Sequence, residues 1–534
     1  MPRTSAPSAP DAHREAQAVW RSERALPDVV IAPGRFADCT FLDEVEVVVL
    51  PVAPGPEEED GLEPRHGTID AAVRYGIDLA ELAERADFEG RAGQAHVIDL
   101  PRPHRATVAL PWAGLPERVV LLGLGGGTPP DMRRAGAALA RATRGAQRVL
   151  TTATGTDTPA HQRALVEGYL LAAYQVPTQA GGTPPRRPAE QLVLLGAHDE
   201  AAVTAARLSA RGTWLARDLT NAPSNLKDPA WVADVAQRLA QEEGLEVRVL
   251  DEAALRAGGF GGILAVGAAS ASEPRLVSVT YTPTTPEGAE KDATHVVLVG
   301  KGITYDTGGL DIKPRTSMVT MKTDMAGAAV VLATVLGAAR TGSRHKVTAV
   351  LPLAENHMGA ASYRPSDVLR MVDGATVEVA DTDAEGRLVL ADALAWATRT
   401  LDPDLLVDVA TLTGAAAVGL GPQHAALFAT HDALASAIES AAGRTGEPVW
   451  RMPLSAEYSS AVSSQVADVR NLPQEKVGGG AIVAALFLEK FTAGLPWAHL
   501  DIAGPAIASK SSHEVVEGAT GFGVRLLLDT LDQL

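Results

Sequence analysis

The sequence predicts an α/β protein of two domains, a smaller N-terminal α/β domain and a larger C-terminal domain whose mainly parallel or mixed sheet is sandwiched by helices. Three observations carry this. The 534 residues exceed the ~250–300 at which a single hydrophobic core stops growing. Short β-branched runs alternate with Ala-rich helical stretches. Beyond about residue 200 the alternation restarts with near-continuous apolar strands, the kind found in sheets covered on both faces.

In chain order, residues 1–28 mix arginines with acids and prolines and lack the apolar core of a signal peptide, so they are expected to form a disordered tail. Residues 29–199 make the N-terminal domain: VEVVVLPVA (45–53) and RVVLLGLGGG (118–127) read as strands, and MRRAGAALARATRGA (132–146) as a helix. The Pro/Gly-rich VPTQAGGTPPRRPAEQ (176–191) interrupts the pattern without ending the domain, because LVLLGA follows as one more strand. The boundary is placed near residue 200, and the helical periodicity of residues 200–216 connects the two parts. In residues 200–534 the strands are THVVLVG (294–300), KVTAVLPLA (346–354), ATVEVAD (375–381) and DLLVDVA (404–410), with helices over 326–340 and 388–399 between them. Ligands in such sheets bind beyond the carboxyl ends of the strands.

Composition narrows the function. With 47 basic and 65 acidic residues the net charge is -18, which repels phosphate backbones and anionic lipid; nucleic acid is an unlikely partner. No run of about 18 apolar residues exists, so no membrane span is expected, and a cytoplasmic protein is. Cys39 is the only cysteine, which excludes an intrachain disulfide and a CxxC metal or redox site. Any metal must be held by O or N ligands.

The acids gather at strand ends. Lys301 and Asp306 follow THVVLVG directly, within GKGITYDTGG; Asp324 precedes the helix that opens near Ala326, where its charge suits the dipole. DTDAEGRL places Asp381, Asp383 and Glu385 at i, i+2 and i+4, which in an extended loop puts three carboxylates on one side. Such packing is costly unless a proton or a cation neutralises it, and a pair of divalent ions with oxygen ligands is the natural remedy. A solvated acidic loop with a helix cap is the bland alternative, made less attractive by the Gly-flanked Lys and Asp elements at neighbouring strand ends.

Other motifs fail. There is no HExxH and no GxSxG. GLGGGT (123–128) lacks the third glycine of a dinucleotide fingerprint and reads as a turn. Ser224 and Lys227 form an SxxK, but the surrounding Asn and Pro residues read as a turn and helix start. His357, His424 and His499 are scattered and expected to be structural.

Taken together, VGKGITYDTGG, IKP, MKTDMAGAA, DTDAEGRLVLADAL and DVATLTGA, in this order and spacing, resemble the leucyl aminopeptidase (cytosol aminopeptidase) family of dinuclear metallopeptidases. RDLTNAPSNLKDP (217–229), ADVRNLP (467–473), GGGAIVAALFLEKF (478–491) and PWAHLDIAGPA (496–506) match as well, so the resemblance covers residues 200–534 as the catalytic peptidase domain. It implies an aminopeptidase that releases N-terminal, Leu-like residues from peptides by a water activated between two divalent metal ions, Mn or Zn. Carried over residue by residue, Asp306 and Glu385 contact both ions, Lys301 and Asp324 complete the tighter site, and Asp383 serves the more exchangeable one. Lys301 ligates only when neutral and so needs a lowered pKa. Lys313 of IKP is implied as the cation that stabilises the developing oxyanion, and Arg387 as the holder of a bicarbonate general base. Met321, Thr411, Leu412 and Gly414 are implied as the substrate pocket, and a homohexamer as the assembly.

Three features depart from the family pattern: Asp381 where it has Asn, Ala326 where it has Gly, and the loop NHMGAASYRPSD (356–367). They leave a competing expectation, a binding or architectural protein that keeps the fold with weak or no turnover.

Overall fold

The computed structural model describes residues 20, 23–55, 61–101, 112–154, 157–177, 186–284, 293–475 and 477–534. The chain forms two compact units. One contains Ala25–Arg211 and the short stretch Lys510–Val516; the other contains Gly212–Ser509, Glu517–Leu534 and the described residues up to Arg24. The division falls inside one continuous helix, Glu200–Asn221.

The N-terminal unit is built on β1 (Asp28–Ala32), β2 (Val47–Pro54), β3 (Leu62–Pro64), β4 (Ala95–Asp99), β5 (Arg118–Gly123), β6 (Arg148–Thr151) and β7 (Gln191–Leu195). Their order is β1-β7-β6-β2-β5-β4, with β3 on β2. The pairs β1–β7, β6–β7, β2–β6 and β2–β5 are parallel, as the uninterrupted apolar runs in β2 and β5 predict. LVLLGA does supply the further strand, β7. Of the Pro/Gly-rich stretch before it, residues 178–185 lie outside the described residues. The predicted helix is Pro129–Ala142, opened by a Thr128/Asp131 capping box with Pro at its first turn.

Part of the expected tail is not disordered. Trp20 is buried in the core of the C-terminal unit, Glu23 pairs with Arg340 at 2.8 Å, Arg24 grips Asp218 with two hydrogen bonds at 2.7 and 2.9 Å, and Asp28 already opens β1. The charges that made this segment look solvated have partners far along the chain. Residues 1–19, 21 and 22 lie outside the described residues.

The C-terminal unit holds β8 (Glu246–Leu250), β9 (Arg275–Tyr281), β10 (His295–Gly300), β11 (Gly302–Asp306), β12 (Lys346–Asn356), β13 (Val368–Arg370), β14 (Thr376–Glu378), β15 (Leu405–Ala410), β16 (Ala425–Ala429), β17 (Val449–Arg451), β18 (Val469–Arg470) and β19 (Trp497–Asp501). Nine of them form one mixed sheet, β17-β16-β19-β15-β10-β12-β9-β8 with β11 on β12. Its centre, β19, β15, β10 and β12, is parallel. Alternation along β10 shows the sandwich: Val296 and Leu298 enter the core beneath the helix Ala326–Thr341, whereas Val297 and Val299 enter the core beneath the helix Gly386–Thr400. The stretch Met321–Thr341 is apolar enough by composition to cross a membrane, but 89% of its most apolar window is buried inside the protein, so it is a core helix.

One strand is reassigned. ATVEVAD does not join the large sheet; its β14 belongs to a separate three-stranded sheet, β13-β14-β18. Val377 and Val379 point into the core while Thr376 and Glu378 hydrogen-bond across to Asp468 and Arg470, an alternation that the apolar residues had masked.

Candidate metal centre and active site

The carboxyl ends of β10, β11 and β15 converge on one cavity of about 370 Å³, lined by all eleven predicted site residues: Lys301, Asp306, Lys313, Met321, Asp324, Asp383, Glu385, Arg387, Thr411, Leu412 and Gly414. Lys301 sits where the chain steps from β10 to β11. Its N–H donates to Val409 O at 3.0 Å and its carbonyl accepts from Ala328 N at 2.9 Å, which locks it between β15 and the first turn of Ala326–Thr341. Asp306 ends β11 rather than lying in a free loop. Asp324 closes the short turn Met321–Thr323, and its Oδ1 accepts from Thr411 Oγ1 at 2.7 Å.

Asp306, Asp324 and Glu385 are all buried, and each offers a carboxylate oxygen within 4.8 Å of the others. Lys301 Nζ bridges Asp324 at 2.9 Å and Glu385 at 2.8 Å and donates to Thr411 O at 3.0 Å. Lys313 Nζ pairs with Asp306 at 2.9 Å and, closely, with Asp383. Burial pushes the Asp324 and Glu385 pKa values up, and neighbouring carboxylates add to it. Asp383 is pushed up to about 7, by burial first and then by Asp306 and Glu385 against Lys313. Burial opposes the Lys301 ammonium, yet Asp324, Glu385 and Asp306 outweigh it and hold its pKa above the ordinary lysine value. The neutral Lys301 that the family pattern implies therefore requires additional positive charge among the carboxylates.

The segment DTDAEG is not extended. Asp381 Oδ1 accepts the Asp383 N–H at 2.7 Å in a tight turn, and Glu385 has helical backbone angles. The three acids consequently separate: Glu385 enters the buried cluster, Asp383 turns to Lys313, and Asp381 folds back on its own loop, where burial and Asp311 raise its pKa. Its acceptor role needs only an oxygen, which Asn would equally supply. Ala326 is buried as the first residue of its helix.

Arg387 is buried with no carboxylate in hydrogen-bond contact. Its Nη1 donates to Asn471 O at 2.6 Å and its Nε has no partner among the described residues; burial lowers its pKa to about 10. Gly386 sits against Lys301: a Cβ there would lie 2.4 Å from Lys301 Cε and 2.6 Å from Nζ.

Several contributors were not singled out from sequence. Asn356 Nδ2 donates to Asp306 Oδ1 at 2.8 Å, and Tyr363 and Asn356 both bind the Thr382 carbonyl, at 2.7 and 3.1 Å. Asp501 accepts from Leu412 N at 3.1 Å and Thr413 Oγ1 at 2.6 Å, shaping the pocket loop. Ala503, Ala506 and Ile507 add apolar wall. Their sequence blocks were visible, but no residue type in them announced a role. Lys227 of the SxxK is fully buried and donates to Thr220 O and Lys322 O, while Asp228 caps the helix Pro229–Glu242; the turn-and-helix reading stands. His499 is buried against Asp408 at 2.6 Å, a structural pair.

These residues suit divalent cations. Glu385 Oε2 is buried without a hydrogen-bond partner among the described residues, and an oxygen-rich donor set with one amine matches hard and borderline ions. An acid cluster with two flanking cations beyond the strand ends of an α/β sheet defines a candidate site for divalent metal. Residues 214–528 match the catalytic domain, and residues 49–178 the N-terminal domain, of the cytosol aminopeptidase family. The chain belongs to that family, whose members are metal-dependent peptidases acting on peptides. It is similar to the probable cytosol aminopeptidase of Streptomyces coelicolor, 41% identical over 527 residues covering 93% of this chain and 96% of that protein. The probable cytosol aminopeptidase of Roseiflexus castenholzii is 42% identical over 474 residues, covering 85% and 92%. Among solved structures, the bottromycin maturation enzyme BotP in complex with Mn superposes with a TM-score of 0.78 at 36% identity, covering 92% of this chain and 99% of that one.

Proposed function

We propose that the chain is a two-metal aminopeptidase that removes N-terminal residues, Leu-like ones preferentially, from peptides. The observation that carries this reading is the buried trio Asp306, Asp324 and Glu385, each with a carboxylate oxygen within 4.8 Å of the others, in a cavity shared with Lys313 and Arg387. Asp306 and Glu385 would contact both ions, Lys301 and Asp324 would complete one site, and Asp383 would serve the other. Bound there, a pair of Mn or Zn ions supplies an acidified water and Lewis-acid polarisation. The similarity to BotP, whose structure is a complex with Mn, supports manganese.

The chain's own groups do the rest. The Lys313 ammonium, free to exchange Asp383 for substrate, faces the carbonyl oxygen as it gains negative charge. Arg387, which lines the same cavity, would hold a small anion, bicarbonate, as the acceptor of the proton from the attacking water. Thr411, Leu412 and Gly414 with Met321 would line the pocket that receives the first side chain. A cytoplasmic homohexamer is the assembly we expect.

Hydrolysis of leucine p-nitroanilide after EDTA treatment and addition of Mn or Zn tests this. Turnover restored by either ion supports it. Retained metal without turnover would instead favour the binding-protein reading.

A further inference from the structure

The small sheet β13-β14-β18 has a purpose beyond packing. Its strands β14 and β18 are zipped by side chains as well as by backbone. Thr376 N and Oγ1 donate to Asp468 Oδ2 at 2.8 and 2.7 Å, Arg470 pairs with Glu378 at 2.9 Å, and the Asn471 N–H donates to Glu378 O at 3.1 Å. One step further the ladder ends and the Asn471 side chain takes over. Its Oδ1 accepts from Ala380 N at 2.7 Å, and its Nδ2 donates to Asp381 O at 2.7 Å and to Ala384 O at 3.4 Å. Its own carbonyl accepts from Arg387 Nη1 at 2.6 Å. The residue is completely buried.

A single uncharged side chain thus holds both shoulders of the turn that presents Asp383 and Glu385, and its main chain holds the arginine that follows. The turn carries closely spaced acids and inward-facing carbonyls, whose mutual repulsion would let it drift outward without a donor inside it. Asn fits uniquely well: it offers an acceptor to Ala380 N and donors to two carbonyls at once, with no charge to add to the cluster. Asp in this position would turn a lone pair towards the Asp381 and Ala384 carbonyls.

We propose that Asn471 is a positioning residue of the metal centre: by clamping the 380–384 turn and aiming Arg387, it sets the affinity for divalent cations without touching them. The inference rests on the metal-site reading above. Outer partners of ligand-bearing groups typically contribute 10–100-fold in metal affinity, and that is the effect expected here.

The test is Mn2+ titration by isothermal calorimetry of the full chain, comparing wild type with Asn471→Asp and the milder Asn471→Ser, alongside thermal unfolding in EDTA. The expected result is a Kd for Mn2+ raised about 10–100-fold in Asn471→Asp and by a smaller factor in Asn471→Ser, in protein that is still folded. A residue that merely stabilises the fold would lower the unfolding temperature in EDTA and leave the Kd at the wild-type value, which would overturn the proposal. If Asn471→Asp does not fold, Asn471→Ser decides by the same criterion. Failure of the wild type to bind Mn2+ would instead remove the metal-site reading, and this proposal with it.

Discussion

Substituting one methyl for hydrogen at Gly386 should disable the site. The Cβ of Gly386→Ala would lie 2.4, 2.6 and 2.8 Å from Lys301 Cε, Nζ and Cδ, whereas non-bonded carbon atoms settle about 3.5–4.0 Å apart. Lysine tips usually yield cheaply, but this one is buried and held by Asp324, Glu385 and the Thr411 carbonyl at 2.8–3.0 Å. Relief of the clash requires a shift of about 1 Å or more, enough to break those contacts. Misplacement on that scale costs on the order of 100-fold in rate, and separating a buried ammonium from its carboxylates costs about 3–5 kcal/mol. The expected outcome for Gly386→Ala is a kcat for leucine p-nitroanilide, at saturating Mn2+, reduced at least about 100-fold, with a lower unfolding temperature in EDTA. Gly414→Ala is the internal control, because a Cβ there meets nothing within 4 Å; it should keep wild-type stability and change only KM. A Gly386→Ala enzyme with wild-type kcat would refute the placement of Lys301 at the reacting centre.

Three further outcomes are expected. Lys313→Met should lower kcat by about 100–1,000-fold while changing KM little, as loss of a transition-state cation does; an equal rise in KM alone would point to simple substrate binding. Asp392, buried and accepting backbone N–H groups from Gly262, Ile263 and Val372, has its pKa pushed up to about 7 by burial. The folded protein therefore holds this proton where the unfolded chain has released it, so stability falls as pH rises from about 4 to 7. Asp392→Asn should flatten that slope, by up to about 4 kcal/mol across the window, in urea midpoints measured at several pH values; an unchanged slope would discount the group. Light scattering should give the mass of a hexamer, and a stable monomer would contradict the proposed assembly.

The candidate ligands were readable because carboxylates and a lysine gathered at strand ends stand out, and Lys301, Asp306, Asp324, Asp383 and Glu385 all line one cavity. Loop conformation was less readable. Three acids at alternate positions suggested a shared face, but the Asp381 carboxylate captures the Asp383 N–H and turns the chain, a local competition that spacing alone does not reveal. The residues that hold the site in shape were silent for another reason. Asn471 meets Asp381 and Arg387 across 90 and 84 positions, Asn356 meets Asp306 across 50, and a neutral amide looks the same in a loop as in a clamp. The same distance effect hid the partners of Glu23 and Arg24, which made a packed segment look solvated, and the cross-strand ties of Thr376 and Glu378, which moved β14 to its own sheet. Apolar patterning, by contrast, located both sandwiched helices and the parallel strands between them, because burial on two faces leaves little choice of side chain.

The central claim, that the Asp306, Asp324 and Glu385 cluster holds catalytic metal, is tested most directly by equilibrium dialysis of wild type and Glu385→Ala against Mn2+. The account predicts two ions per chain in the wild type and loss of tight binding in the variant, which remains folded; wild-type stoichiometry and affinity in Glu385→Ala would contradict it.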